Sequence, residues 1–273
     1  MDDDEESHTR HLNLIKAELA KSTPDMDRAK ELMCRTFSRR RTWLLEEQPP
    51  IQEVLAKYPL LKRLTIVSSE LDYVIAEENC REKFIDNWQL YQPAIIAYSN
   101  AHKNKPAALK DALRDIDGDA EAVSLTALRC AGYLLTTKTR KKEEKGKPSQ
   151  ENEAADDIPF LMKEIMRGEK VEDVCTDVNP MIIRVIDADE DVDPQYAIAI
   201  EKQTILTCCH LQSAIFALFA VHYVFDIEYH PKAKDFYLLV EEKMFGIKGG
   251  GVTPRTVNYV NVVTSMETYL DQN

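Results

Sequence analysis

The stretch whose reading decides the fold runs from Gln203 to Phe225, QTILTCCHLQSAIFALFAVHYVF, 23 residues without a formal charge. Its length suffices for a transmembrane helix, which needs about 20 apolar residues. Yet Gln203, His210, Gln212, Ser213 and His222 fall on several sides of a helical wheel, and each would need a hydrogen-bond partner in lipid. Basic anchors are missing too: Lys202 precedes the stretch, but Asp226 and Glu228 follow it. The pattern therefore predicts one long helix enclosed by protein, with membrane association through 203–225 as an alternative.

A helix enclosed by protein needs a body around it. The chain has 273 residues, 44% hydrophobic and 30% charged, which suits a folded protein of one large or two small domains. Its formal net charge of -12 repels phosphates, so nucleic-acid binding is not expected. The start, MDDDEES, lacks the basic then apolar pattern of a signal peptide, and no cysteines are spaced as C-x-x-C. Both features predict free thiols in a reducing, cytoplasmic location, with nuclear entry as a second possibility.

Outward from that stretch, Pro231 to Phe245 reads as a helix ended by Gly246. Thr253-Pro254 opens the last helix, with Val257, Val260, Thr264 and Tyr269 or Leu270 towards the core. On the other side, Met181–Ile186 and Tyr196–Ile200 are rich in β-branched residues and flank the acidic segment DADEDVDP, which predicts a hairpin with a long loop. Pro159 to Arg167 reads as helical. From Thr137 to Asp157 the apolar pattern stops in TKTRKKEEKGKPSQENEAADD, a composition that predicts a flexible charged linker.

The N-terminal half reads as helices. Residues 1–22 form an acidic tail and a first short helix. Thr23-Pro24-Asp25 supplies a helix start, and Met26, Ala29, Met33, Phe37 and Leu44 recur at helical spacing. Arg39, Arg40 and Arg41 then lie near the end of that helix, where cations suit the dipole, and Gln48-Pro49-Pro50 terminates it. Ile51, Val54, Leu55 and Tyr58 mark a short helix stopped by Pro59. Asn79 with Glu82 reads as a capping box before Phe84, Trp88 and Tyr91, with a kink at Pro93. Further helices start near Pro106 and Ala120. The expected division is a helical domain at 23–136, the linker at 137–157 and an α+β domain at 158–273.

Chemical motifs are conspicuous by failed spacing. The acidic loop Asp187, Asp189, Glu190, Asp191 and Asp193 has Val192 where a calcium loop needs glycine and Ile198 where it needs the bidentate glutamate. Asp115, Asp117 and Asp119 fail likewise at Ala120 and Thr126. In Cys208-Cys209-His210, adjacent cysteines on a helix point about 100° apart and no second pair completes a zinc tetrahedron, so core thiols are expected. Gly249-Gly250-Gly251 lacks the Lys-Ser or Lys-Thr of a phosphate loop. Lys138 to Lys147 is broken by Glu143 and Glu144, which suits a solvated linker better than an import signal. No catalytic, cofactor or metal residue is assigned.

Two blocks carry a family resemblance. Arg39–Leu61, RRRTWLLEEQPPIQEVLAKYPLL, joins basic residues, a Trp, a proline-marked break and a short helix ending in Tyr-Pro. Ala220–Ile247, AVHYVFDIEYHPKAKDFYLLVEEKMFGI, joins an apolar helix to a turn and a Phe-rich amphipathic helix. Both resemble blocks in the C-terminal region of fish proteins described as sterile-alpha-motif-domain-containing protein 3-like. The hairpin and long helix between them also fit. The expected chain lacks the sterile alpha motif domain itself, so self-association through that domain does not carry over, and the resemblance brings no catalytic residues.

Together these readings predict a mainly α, α+β protein, with a helical N-terminal half and a C-terminal half holding a small β-hairpin packed by helices. The expected function is a non-catalytic protein-interaction or scaffold module with a protein partner, no cofactor, no nucleic acid and no membrane. An enzyme with a site assembled from distant residues, or a membrane-associated protein, are the competing classes.

Overall fold

The computed structural model describes residues 5–101, 105, 109–110, 113–114, 119–136, 158, 160–174, 179–189, 192–247 and 255–272. The protein is mainly helical, with one four-stranded sheet among the described residues. It packs as two compact units. The first comprises the chain through Glu78 together with Ala220–Ile227, and the second comprises Asn79–Phe219 and the chain from Glu228. The linker expected at 137–157 and the helix start near Pro106 lie outside the described residues, apart from isolated positions.

The first unit is built from α1 (Glu5–Leu19), α2 (Met26–Arg35), α3 (Phe37–Glu47), α4 (Ile51–Lys57), a 3-10 turn at Pro59–Lys62 and α5 (Leu64–Ile75). The helix start expected at Thr23 lies two residues later: Asp25 is the cap, its side chain accepting from Arg28 N, so the carboxylate outcompetes the Thr-Pro pair. The single helix expected from Met26 to Leu44 is broken at Thr36. There the Thr36 hydroxyl donates to the Met33 carbonyl at 2.9 Å, and the Arg40 guanidinium donates to the same oxygen at 3.2 Å. With its helix carbonyl claimed from outside the ladder, the chain turns and restarts at Phe37. Gln48, in the left-handed region at φ 44°, ends α3, and the short helix before Pro59 forms as expected. α5 was not legible as a separate helix, although it buries Ile66, Val67 and Leu71.

In the second unit α6 spans Cys80–Ala101 and α7 spans Ala120–Leu135. Asn79 stands at φ 57°, left-handed rather than in the extended conformation of a capping box. α6 stays helical through Pro93, whose missing N–H leaves the ladder one bond short. Asp119 caps α7 with bonds from Glu121 N and Ala122 N. Trp88 donates to the Ser124 hydroxyl at 2.9 Å, joining the two helices through buried groups.

The sheet corrects two expectations. The helix expected at 159–167 gives way, among its described residues, to a strand: β1 (Met162–Met166) runs parallel to β2 (Met181–Ile186). Met162 and Ile165 are buried at a three-residue interval, which mimics a helical stripe, but pairing with β2 overrides a preference so short. The apolar stretch from Gln203 is not one helix either. Its first part is β4 (Gln203–Cys208), antiparallel to β3 (Gln195–Ile200) and joined to it by Glu201 and Lys202, at φ 49° and 65°. Positive φ at both central residues is the signature of a tight hairpin turn, carried here without the usual Asn-Gly. Only Leu211–Val224 is helical, as α8, and its 14 residues are too few to span a bilayer. Among the described residues no helix is long and apolar enough to cross a membrane.

The strand order is β1-β2-β3-β4, and the expected hairpin is its centre. One face gathers Ile165, Met181, Ile183, Ala197 and Ala199. The pleat sends Ile182, Tyr196, Ile198 and Leu206 to the other, and they are buried too. A 3-10 turn at Pro231–Ala233, α9 (Lys234–Leu239) and a π turn at Val240–Met244 follow, ended near Gly246 at φ 69°. The last helix, α10, spans Val257–Gln272. Its buried residues are Tyr259, Val262, Val263 and Met266, whereas Val257 and Val260 are exposed at 79% and 47%. The expected stripe thus fails at Val257, Val260 and Thr264, which are exposed, while Tyr269 and Leu270 are half-buried; β-branched residues cover both sides of this helix. Phe84, Phe216, Phe219 and Phe245 stack in the core of this unit, Phe219 on Phe245 at 4.5 Å.

Candidate functional site

In the first unit α1, α3 and α4 enclose a cleft of about 780 Å³. The proline break after α3 folds α4 back, so that Trp43 of α3 and Lys57 of α4 meet. The Lys57 ammonium lies over the Trp43 ring, 3.9 Å from its centroid. The indole N–H donates to Glu47 at 2.9 Å, an i, i+4 bond on one helix face. Tyr58 continues the aromatic wall at 6.0 Å from Trp43, and its hydroxyl bonds His8 Nε2 of α1 at 3.0 Å. Burial pushes the Tyr58 phenol up to about 12, against the opposing pull of Arg40 and Arg39, so it stays protonated at neutral pH.

Charge lines the mouth unevenly. Glu5, Glu46, Glu47 and Glu53 line it together with Arg39 and Lys57. Arg39 approaches Glu5 at 3.6 Å, while among the described residues the carboxylates of Glu46 and Glu53 have no ion-pair partner. The result is a partly aromatic cleft with an acidic rim.

Beneath it lies a buried ion pair. Arg40 donates to both oxygens of Glu70 at 2.5 Å, with side chains 1% and 5% exposed. Its guanidinium lies 5.0 Å from the Tyr58 ring centroid and 5.9 Å from that of Phe37. Arg41 donates to the Tyr223 carbonyl at 2.8 Å and to Asp226 at 3.0 Å, closing the C-terminus of α8. The three arginines therefore do not complement the end of a helix dipole. They stand in the first turns of α3, where Arg39 reaches the rim, Arg40 forms the buried pair and Arg41 caps α8.

Cys208 is buried but Cys209 is exposed, because on a strand and its turn adjacent side chains point apart. Burial pushes the Cys208 thiol up to about 12 and Cys130 up to about 11, the reverse of what a thiolate nucleophile needs. Asp187 pairs with Arg167 at 2.7 Å, and among the described residues no group of three His, Cys, Asp or Glu side chains could hold a metal. Glu190, Asp191, Asp115, Asp117, Cys175, Gly249–Gly251, Thr253, Pro254 and Lys138–Lys147 lie outside the described residues. In the second unit Glu164, Arg184, Tyr196 and Cys208 form one row across the sheet. Arg184 pairs with Glu164, and nearby Glu121 accepts from Leu211 N at 2.7 Å, holding the start of α8.

Sequence reasoning passed over Trp43, Lys57 and Tyr58 as site residues. The block Arg39–Leu61 held them all, but Lys57 meets Trp43 only through the fold of the proline break.

Comparison with known proteins bears on this same stretch. Residues 8–63 match the family model described as sterile alpha motif domain-containing protein 3, helical domain. No curated protein and no solved structure matches the chain. The matched residues run from His8 of the cleft through Arg39, Trp43, Lys57 and Tyr58.

Proposed function

We propose that this protein is a non-catalytic protein-interaction module whose docking site is the cleft between α1, α3 and α4. One observation carries the reading: a cleft of about 780 Å³, walled by Trp43 and Tyr58, lies on the residues that match the sterile alpha motif domain-containing protein 3 helical domain. Rigid aromatic side chains beside polar groups are what protein interfaces use as anchors. We extend the kinship to the sterile-alpha-motif-domain-containing protein 3-like proteins beyond residue 63, on the support of the Ala220–Ile247 block. A cytoplasmic location is the companion reading, supported by the cysteine spacing.

Site-directed photocrosslinking in cells with the full chain tests this reading. A crosslinker replacing Thr42 at the cleft should capture a protein that the same group at exposed Asn13 does not. Capture should fall when Trp43→Ala is added. Identical captures from both positions, or none from Thr42, would overturn the proposal.

A further inference from the structure

We infer that the cleft recognises a basic segment of the partner, an arginine or lysine whose charged head takes the place of Lys57 on the Trp43 ring. The inference rests on the interaction reading above and deepens it by naming the partner's chemistry.

Lys57 shows what the Trp43 face holds. An ammonium already lies 3.9 Å from the ring centroid, and the face of an indole ring attracts cations better than any other side-chain aromatic. Glu47, bonded to the indole N–H, keeps negative charge at the ring edge. Glu46 adds a second carboxylate at the mouth with no ion-pair partner among the described residues. A guanidinium suits the position better than the resident ammonium, because it is planar, stacks on the ring and can fork to a carboxylate.

The displaced Lys57 has somewhere to go. Glu53 lies four residues before it on α4, the spacing and order in which a glutamate and a lysine pair best. Exchange therefore leaves no cation stranded, and binding costs little more than the contact Lys57 gives up. The same rim repels phosphates, which makes nucleic acid a poor occupant. Acidic peptides are repelled as well.

The experiment uses the full chain and a fluorescein-labelled octapeptide of alternating arginine and glycine, read by anisotropy. A matched peptide with citrulline for arginine keeps the shape and removes the charge. The arginine peptide should bind saturably and the citrulline peptide at least about tenfold more weakly. Lys57→Ala should tighten binding by about two- to fivefold, since the incoming cation no longer competes for the ring. Glu46→Gln with Glu53→Gln should weaken it by about two- to fivefold and flatten its salt dependence. Trp43→Ala should weaken it by about tenfold; because Trp43 also packs on Tyr58, the exposed-residue variants carry the test if that one unfolds.

Equal binding of the citrulline peptide, or affinities unmoved by Lys57→Ala and the paired glutamine variant, would overturn the inference. So would no binding of the arginine peptide. A protein captured from Thr42 through a segment without basic residues would also overturn it while leaving the interaction reading intact.

Discussion

Breaking the Arg40–Glu70 pair from one side should be among the most damaging changes to the first unit, and breaking it from both sides should not be. Arg40 is 1% exposed, so Glu70→Gln leaves a buried guanidinium with no counter-charge, facing one neutral amide, the Met33 carbonyl, the Thr36 hydroxyl and the faces of Phe37 and Tyr58. Removing one partner of such a pair costs about 3–5 kcal/mol. At about 1–3 kcal/mol per M of urea, the midpoint should fall by at least about 1 M. Arg40→Met strands the carboxylate instead, and this loss depends on pH. Burial already pushes the Glu70 carboxyl above its ordinary range against the pull of Arg40, and without the guanidinium it rises further. A folded-state value raised above the unfolded one stabilises at low pH and loses that contribution as pH rises through it. Arg40→Met should therefore be closer to the parent at pH 5 than at pH 8. The double variant Arg40→Met, Glu70→Leu exchanges the pair for apolar bulk and should lie within about 1 kcal/mol of the parent or above it. Urea titrations followed by Trp43 emission in a Trp88→Phe background report on the first unit. Losses that simply add in the double variant, or a Glu70→Gln cost below about 1 kcal/mol, would refute the reasoning.

Two further perturbations test the packing around α8 and α7. His222 is buried, burial lowers its pKa to about 4, and its ring bonds the Ile227 carbonyl through Nδ1 at 2.9 Å. A folded-state value depressed below the ordinary 6.5 means stability present above that pH and lost as pH falls towards 4, a difference of about 3 kcal/mol. His222→Asn should flatten the stability profile between pH 6.5 and 4; a profile as steep as the parent's would assign the slope to other groups. Gly132→Ala should destabilise the second unit by about 1–3 kcal/mol, since the new Cβ would run into Ile158 Cγ2. In open space the same change in a helix stabilises by about 1 kcal/mol, so a raised melting temperature would show that Ile158 yields, and Ile158→Ala should relieve the loss.

The sequence by itself determined the class of protein and most of its helices, because those features are local. Asp119, Gln48 and Pro59 bound their helices through backbone chemistry within a few residues, and the β-branched runs at Met181 and Tyr196 made the central hairpin legible. The errors fell where a distant partner decides. Met162–Met166 became a strand because β2 lay beside it, and Gln203–Cys208 left the apolar helix because β3 offered a ladder. An apolar run long enough for a bilayer thus keeps 14 helical residues, because the turn at Glu201 and Lys202 folds its first part onto β3 and the chain bends at Cys209 and His210 before α8. In the Arg39–Arg41 run, three identical side chains acquired three different roles, since each points to a different neighbour around α3. Trp43 and Lys57 stand on either side of the Gln48-Pro49-Pro50 break, so no continuous helical pattern links them. Only the fold of α4 against α3 puts the ammonium on the ring and makes the cleft, because hydrogen bonds and caps act along the chain whereas a site depends on which surfaces meet.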